Sequence, residues 1–319
     1  KHTIGFLVSG RNIDREEINF NRTEVSSQQT PSIIDSVLVA DNEANKTGLE
    51  NTYNLNYKFY DKAGKSLNID LDYGQYKYTD ERNQPNVYYN AEEDSVLQES
   101  IDRFNTPITI GIYTAKLDYE QNLGKGKIGL GGKYSLVETQ NTFEVFNVVN
   151  SVSTIDNLLS NLFDYNENVY AGYLSYSRPL GKKWNMITGL RAEQTEATGN
   201  LTPFLDSLQE PPVELSYLSW FPNVGLTYKI SRKNSLNLNY GRRINRPNYS
   251  VLNPFRIQRS ELSFEKGNPN LKPEIVNNYE LGYTLAYKYN FKVAYSRTED
   301  KITRLISPDD ADPRAGFLS

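Results

Sequence analysis

Along most of this chain apolar and polar residues alternate. Tyr53-Asn54-Leu55-Asn56-Tyr57-Lys58-Phe59, Asn68-Ile69-Asp70-Leu71-Asp72-Tyr73 and Leu236-Asn237-Leu238-Asn239-Tyr240 each carry an aliphatic or aromatic residue at every second position, with Asn, Asp or Lys between. Successive side chains of a strand point to opposite faces, so each run reads as a strand with one apolar and one polar face. Such strands are predicted over 47–60, 65–79, 107–121, 127–143, 166–179, 183–197, 215–230, 234–245, 275–288 and 291–306, preceded by an arm at 2–29 that meets a second arm, 33–60, at Thr30-Pro31-Ser32. Between residues 112 and 113 the phase slips by one, which marks a bulge or a membrane edge.

The connections differ in length. Five are short and polar: Asp61–Lys65, Leu123–Lys127, Leu180–Lys183, Ser231–Asn234 and Lys288-Tyr289-Asn290. Between them lie long ones, at about 11–46, 80–106, 144–165, 198–214 and 246–274. Short turns at one end and long loops at the other, with alternating strands between, describe an antiparallel transmembrane β-barrel whose long loops are extracellular. Tyr57, Phe59, Tyr119, Trp184, Tyr228, Tyr287 and Phe291 cluster beside the short turns, where one aromatic girdle belongs. The competing reading, a soluble sandwich with those aromatics in its core, does not account for the polar opposite faces or the long arms. About eleven strands are visible. Single-chain barrels normally have an even number, so the chain is expected to be part of a larger barrel, with both ends reading as cut.

Composition alters this picture little. The negative mean hydropathy suggests a water-soluble chain, but polar lumen residues cancel lipid-facing ones in a barrel. The longest apolar run, Ile4–Val8, is far short of a membrane helix. There is no cysteine and a single histidine, His2. That speaks against disulfides, a metal site, a bound cofactor and histidine acid–base chemistry. With 35 basic and 39 acidic residues, no excess points to nucleic acid. The 24 tyrosines suit both strands and the headgroup level of a bilayer.

Few motifs carry chemistry. Gly124-Lys125-Gly126-Lys127-Ile128-Gly129 fits a dinucleotide-binding fingerprint, but a strand follows it rather than a helix, so it reads as a hairpin turn. Inward charges such as Asp70, Asp72, Lys116, Asp118, Glu120, Lys133, Arg191, Glu193 and Glu280 read as a paired or solvated lumen wall rather than as catalytic carboxylates. The most distinctive stretch is 242–274. Pro247, Pro254, Pro269 and Pro273 fix its course, and Arg246, Asn248, Tyr249, Asn253, Phe255, Arg256 and Arg259 are candidate ligand contacts. The alternative is a rigid roof over the pore.

Arg242-Arg243-Ile244-Asn245-Arg246-Pro247, Leu252-Asn253-Pro254-Phe255, Gly267–Glu274 and Asn278–Tyr283 resemble the C-terminal barrel of Bacteroidetes outer-membrane proteins related to TonB-dependent receptors. Leu190–Thr195, Trp220–Leu226 and Tyr295–Thr298 are similar to that family's strand motifs. Asp35-Ser36-Val37, Asp94-Ser95-Val96 and Asp206-Ser207-Leu208 look like the Asp-Ser/Thr-aliphatic sites O-glycosylated in Bacteroidetes envelope proteins. The resemblance implies an outer-membrane barrel of roughly 22 strands, with a plug domain that residues 1–319 do not contain. It implies uptake of a nutrient, with outer-membrane lipid, a TonB-type energy-coupling protein and surface lipoproteins as partners. A structural or assembly subunit of an envelope complex is the alternative. Neither role is enzymatic.

Overall fold

In the computed structural model, residues 1–319 are described except 28–29, 150–151, 210, 254–255, 261–262, 309–315 and 319; side chains are also left aside at 249–250, 256–260, 263–264, 308 and 316–318. The strands are β1 (His2–Ser26), β2 (Ile34–Tyr60), β3 (Ser66–Asn90), β4 (Val96–Leu123), β5 (Gly126–Val149), β6 (Val152–Ile155), β7 (Asn161–Leu180), β8 (Trp184–Pro203), β9 (Val213–Lys229), β10 (Ser235–Asn245), β11 (Arg256–Ser260), β12 (Ser263–Lys266), β13 (Glu274–Leu285), β14 (Tyr289–Glu299), β15 (Ile306–Pro308) and β16 (Gly316–Leu318). One antiparallel meander runs β1-β2-β3-β4-β5-β7-β8-β9-β10-β13-β14, with β6 paired on β5; β11, β12, β16 and β15 form a separate small sheet. The meander has eleven strands, and among the described residues no ladder joins β1 to β14. Among the described residues no helix is long and apolar enough to cross a membrane; strands would do the crossing.

The registers separate the two faces. Leu55, Leu71, Ala115, Tyr134 and Tyr170 lie opposite one another in sequence across β2, β3, β4, β5 and β7. On the neighbouring strands Leu226, Leu238, Leu281 and Val293 form a matching row. These apolar side chains face away from the polar wall and remain largely exposed, as a lipid-facing surface requires. The band ends at tyrosines. Tyr53, Tyr73 and Tyr113 stack in succession, with ring centroids 5.9 and 4.9 Å apart; Tyr134 meets Tyr170 at 5.1 Å, and Tyr240, Tyr279 and Tyr295 repeat the arrangement on the last strands. At the opposite edge Trp184 lies 4.6 Å from Tyr228. From Leu67 to Tyr73 the band spans about 20 Å along β3.

Beyond the tyrosines the same face carries Gln75, Glu138, Asn168, Glu196 and Arg297, while apolar residues move to the inner face. Ile108, Ile110 and Ile112 alternate with Pro107, Thr109 and Gly111, and the ladders to β3 and β5 pass through residues 112 and 113 without a shift. The phase change is therefore the membrane edge and not a bulge.

The stretches expected as long loops are a correction to the sequence reading. At 11–46 and 80–106 the ladders continue almost to the tips, and β3, which ends at Asn90, projects about 55 Å past Tyr73. Parts of 144–165 and 198–214 are likewise strand. Both faces are mixed there, so periodicity vanishes while backbone pairing continues. The last short turn also moves. It occupies 286–288 rather than 288–290, and Ala286 and Tyr287 both adopt positive φ, 56° and 57°. The two residues are the centre of a turn closed by Lys288 N–H to Leu285 O at 3.0 Å, and positive φ at both central positions is normally supplied by Asn and Gly, so its sequence carried no signal. Tyr287, expected in the aromatic girdle within the strand 275–288, sits in the turn, and β14 ends at Glu299 rather than 306.

Candidate functional site: the inner wall and its inward strap

The inner face at membrane depth is a continuous polar network. Lys116 meets Asp118 at 2.7 Å. Tyr173 donates its hydroxyl to Asp118, and the Arg191 guanidinium lies over the Tyr173 ring, 5.5 Å from its centroid. Arg191 pairs with Glu193, whose side chain is only 7% exposed. These residues share a face because β4, β5, β7 and β8 pair in register: Asp118 opposes Gly131, Gly131 opposes Tyr173, and Tyr173 opposes Arg191. Beside Arg191 and Glu193 a recess of about 620 Å³ is lined by Phe221, Asn223, Asn239, Gly241, Arg243, Asn278 and Glu280 among others. Guanidinium, amide and carboxylate groups converge there, a lining suited to polar solutes.

Two connections fold against this wall above the tyrosine edge. Leu159, after β6, packs on Phe104, Phe143 and Val145, and its turn is held by Asp156, whose carboxylate accepts the backbone N–H of Leu158 and Leu159. The Ser160 hydroxyl accepts the N–H of Val145. The β10–β13 connection forms a strap. Leu252, with Leu271, seats on Phe163, Tyr165, Ala197 and Leu201. Arg246 donates to Glu193 at 2.6 Å and to Thr195 at 3.0 Å, with Glu167 4.0 Å away. The strap closes on itself through Gly267 N–H to Asn253 O at 2.9 Å and Asn268 N–H to Val251 O at 2.8 Å. A methyl group at Gly267 would overlap the carbonyl oxygens of Val251 and Asn253, so glycine is required by close backbone approach.

Of the candidate contacts, the described ones do not form one open surface. The Arg246 guanidinium is engaged by the wall, and Asn253 is buried. Asn248 accepts the Val251 N–H through its carbonyl. Tyr249 lies in a one-turn helix, Tyr249–Leu252, and Arg256 and Arg259 lie in β11; the three side chains, and Phe255 entirely, fall outside the described residues. Glu193, Thr195 and Leu252 were not singled out as strap anchors by sequence. Their alternation with lipid-facing neighbours marked Glu193 as inward, but nothing local marks which inward residue meets a segment more than 50 positions away.

Higher on the wall, burial first and then the nearby Asp156 carboxylate hold the Asp102 carboxyl above its usual range. At the tips, Arg22 pairs with Glu93 at 2.5 Å, and that hydrogen bond holds Glu93 below the usual range.

A model of the outer membrane protein beta-barrel family matches residues 57–315. No curated protein sequence matches the chain. Among solved structures, the copper transporter OprC superposes with a TM-score of 0.50 at 9% identity, over 99% of this chain and 57% of that one. The ferric citrate transporter FecA gives 0.48 at 12% over 99% and 53%, and the siderophore receptor PiuA from Acinetobacter baumannii 0.44 at 13% over 99% and 57%. The chain thus spans a little over half the length of these structures. The OprC likeness concerns fold alone.

Proposed function

Because the chain belongs to the outer membrane protein beta-barrel family, and so to the bacterial outer membrane, we infer that it forms part of the wall of a TonB-dependent-receptor-like transporter that takes up a nutrient. The observation that carries this reading is the inner wall. It is polar through the membrane, opens into a tall vestibule of paired strands, and has a strap folded inward over it at Arg246. Such a wall suits a solute path. The free edges of β1 and β14 are closed by further strands in this reading, because unpaired strand edges are not tolerated in hydrocarbon; roughly 22 strands would complete the barrel. The motifs at 242–283 support a Bacteroidetes-type source. A TonB-type energy-coupling protein is the expected partner, and copper and ferric chelates, named by the structural neighbours, are the first cargoes to try. The inward carboxylates are paired with cations or amides, which supports a non-enzymatic role.

The test is uptake by cells lacking the gene, complemented with the natural protein, with radiolabelled copper and ferric chelates and with the proton-motive force intact or collapsed. Energy-dependent accumulation restored by the gene supports the reading; no difference across a broad nutrient panel contradicts it. The structural alternative has one observation in its favour: Ile33, Val96, Leu97, Val149 and Val152 stand more than half exposed at the tips of adjacent hairpins, an apolar rim that suits surface lipoproteins. Stoichiometric co-purification of such partners, without uptake, would favour it.

A further inference from the structure

The short-turn end of the sheet carries a charge pattern that transport does not explain. In the five connections 61–65, 124–125, 181–183, 230–234 and 286–288 there are eight Lys or Arg residues against one carboxylate, Asp61. The first four connections at the other end contain no Lys or Arg and six Asp or Glu. The short turns are also tied to one another. Lys229 N–H donates to Lys183 O at 2.7 Å, Tyr287 N–H to Lys233 O at 3.1 Å, Ala286 N–H to the Asn234 side chain at 2.9 Å, and the Asn122 side chain to Ala63 O at 3.1 Å. The cations are therefore held in a rim. The rim lies directly beyond the Trp184–Tyr228 pair, with the Lys183 ammonium 5.8 Å from the Tyr228 ring centre, and aromatic girdles sit at headgroup depth. Arg178 adds a cation on the lipid-facing side, opposite Met186.

Solvated turn lysines are ordinary, but a one-signed rim fixed at headgroup depth is placed where phosphates are. We propose that this rim binds the anionic phospholipid headgroups of the leaflet it meets, and that the turns around Trp184, with Lys182, Lys183, Arg232 and Lys233, are its strongest site. The inference rests on the chain standing in a membrane as a barrel wall and not on uptake, so either reading can fail alone.

Trp184 reports on the site, and Trp220 is the other tryptophan of residues 1–319. The natural protein with every tryptophan except Trp184 replaced by Phe, reconstituted in phosphatidylcholine vesicles with a fixed fraction of phosphatidylglycerol, is examined with bromine on one lipid or the other. Brominated phosphatidylglycerol should quench Trp184 more than brominated phosphatidylcholine at equal mole fraction. The relative association constant should fall by up to about fivefold for each cation neutralised. In 1 M NaCl, where the Debye length is about 3 Å, the preference should collapse. Lys182→Gln, Lys183→Gln, Arg232→Gln and Lys233→Gln together should bring the ratio to one, whereas Lys77→Gln, above the tyrosine edge, should leave it unchanged. If the quadruple variant does not insert, Lys183→Gln and Lys233→Gln singly carry the same comparison. Equal quenching by the two lipids at low salt overturns the proposal, as does a preference that survives the substitutions. A Trp184 response to soluble polyglutamate without any lipid preference also overturns it, reassigning the rim to an acidic soluble partner.

Discussion

Leu71→Arg tests the assignment of faces and of depth together. Leu71 lies on the outer face between Leu55 and Ala115, two positions below Tyr73 and four above Leu67. At about 3.3 Å per residue this is about 7 Å from the tyrosine edge and about 13 Å from the other end of the band, close to its middle. An arginine at the midplane of a barrel's lipid face costs about 2–4 kcal/mol, falling to about 0–1 near the interface. The series Leu71→Arg, Tyr73→Arg, Gln75→Arg should therefore show a declining cost, with the last near zero because position 75 lies beyond the tyrosines. Asp70, the immediate neighbour, faces inward and accepts the Asn68 side chain; Asp70→Asn should cost under about 1 kcal/mol, the worth of one solvated hydrogen bond. Reversible urea unfolding in phospholipid vesicles, followed by tryptophan fluorescence, gives each value. Equal costs at 71 and 75, or a greater cost for Asp70→Asn than for Leu71→Arg, would refute both the face and the depth.

The other predictions concern the strap and the upper wall. Glu193→Gln should loosen the strap more than Arg246→Gln, because the first leaves two guanidinium groups without their shared carboxylate and the second leaves Glu193 paired with Arg191. With both arginines partly exposed, about 1–3 kcal/mol is expected for Glu193→Gln, read by hydrogen exchange over 246–274; a larger effect of Arg246→Gln would contradict the shared-anchor geometry. Gly267→Ala should cost about 1–3 kcal/mol and speed proteolysis within the strap, and unchanged nicking would show that the backbone approach is not needed. Asp102 titrates above its unfolded value when folded, so its contribution to stability falls as pH rises from about 3.9 through the raised value. Asp102→Asn should accordingly slow hydrogen exchange at 96–105 at pH 7 and lose that advantage below about pH 4; the opposite trend would contradict burial as the cause.

Much of the fold was readable in sequence wherever lipid imposed its rule. From Leu67 to Tyr73 one face meets hydrocarbon and the other water, so the period of two is undiluted and both strand and facing follow. Past Tyr73 water lies on both sides. Gln75, Lys77 and Thr79 then alternate with Tyr76, Tyr78 and Asp80, no face is uniformly apolar, and the segment passes for a loop although its ladder to β4 is unbroken. The Ala286–Tyr287 turn was hidden for a different reason. Its positive φ values are held by bonds from the neighbouring turn, through Asn234 and Lys233, and that support is tertiary.

The strap shows why the candidate site was only partly legible. The richness of 242–274 in arginine, asparagine and aromatic residues is compatible with a surface that receives a ligand and with one that receives its own wall. Composition cannot separate these, because a guanidinium recognises a carboxylate in the same way whichever molecule carries it. The structure gives Arg246 to Glu193 and Leu252 to the Phe163 cluster, so these residues hold the strap down. A ligand that draws on Arg246 must compete with a carboxylate that is nearly buried and already shared with Arg191. An anionic solute strong enough to do so would release the strap as it bound, whereas a neutral one would leave it seated. Hydrogen exchange over the strap, measured with and without an anionic and a neutral candidate solute, separates these cases.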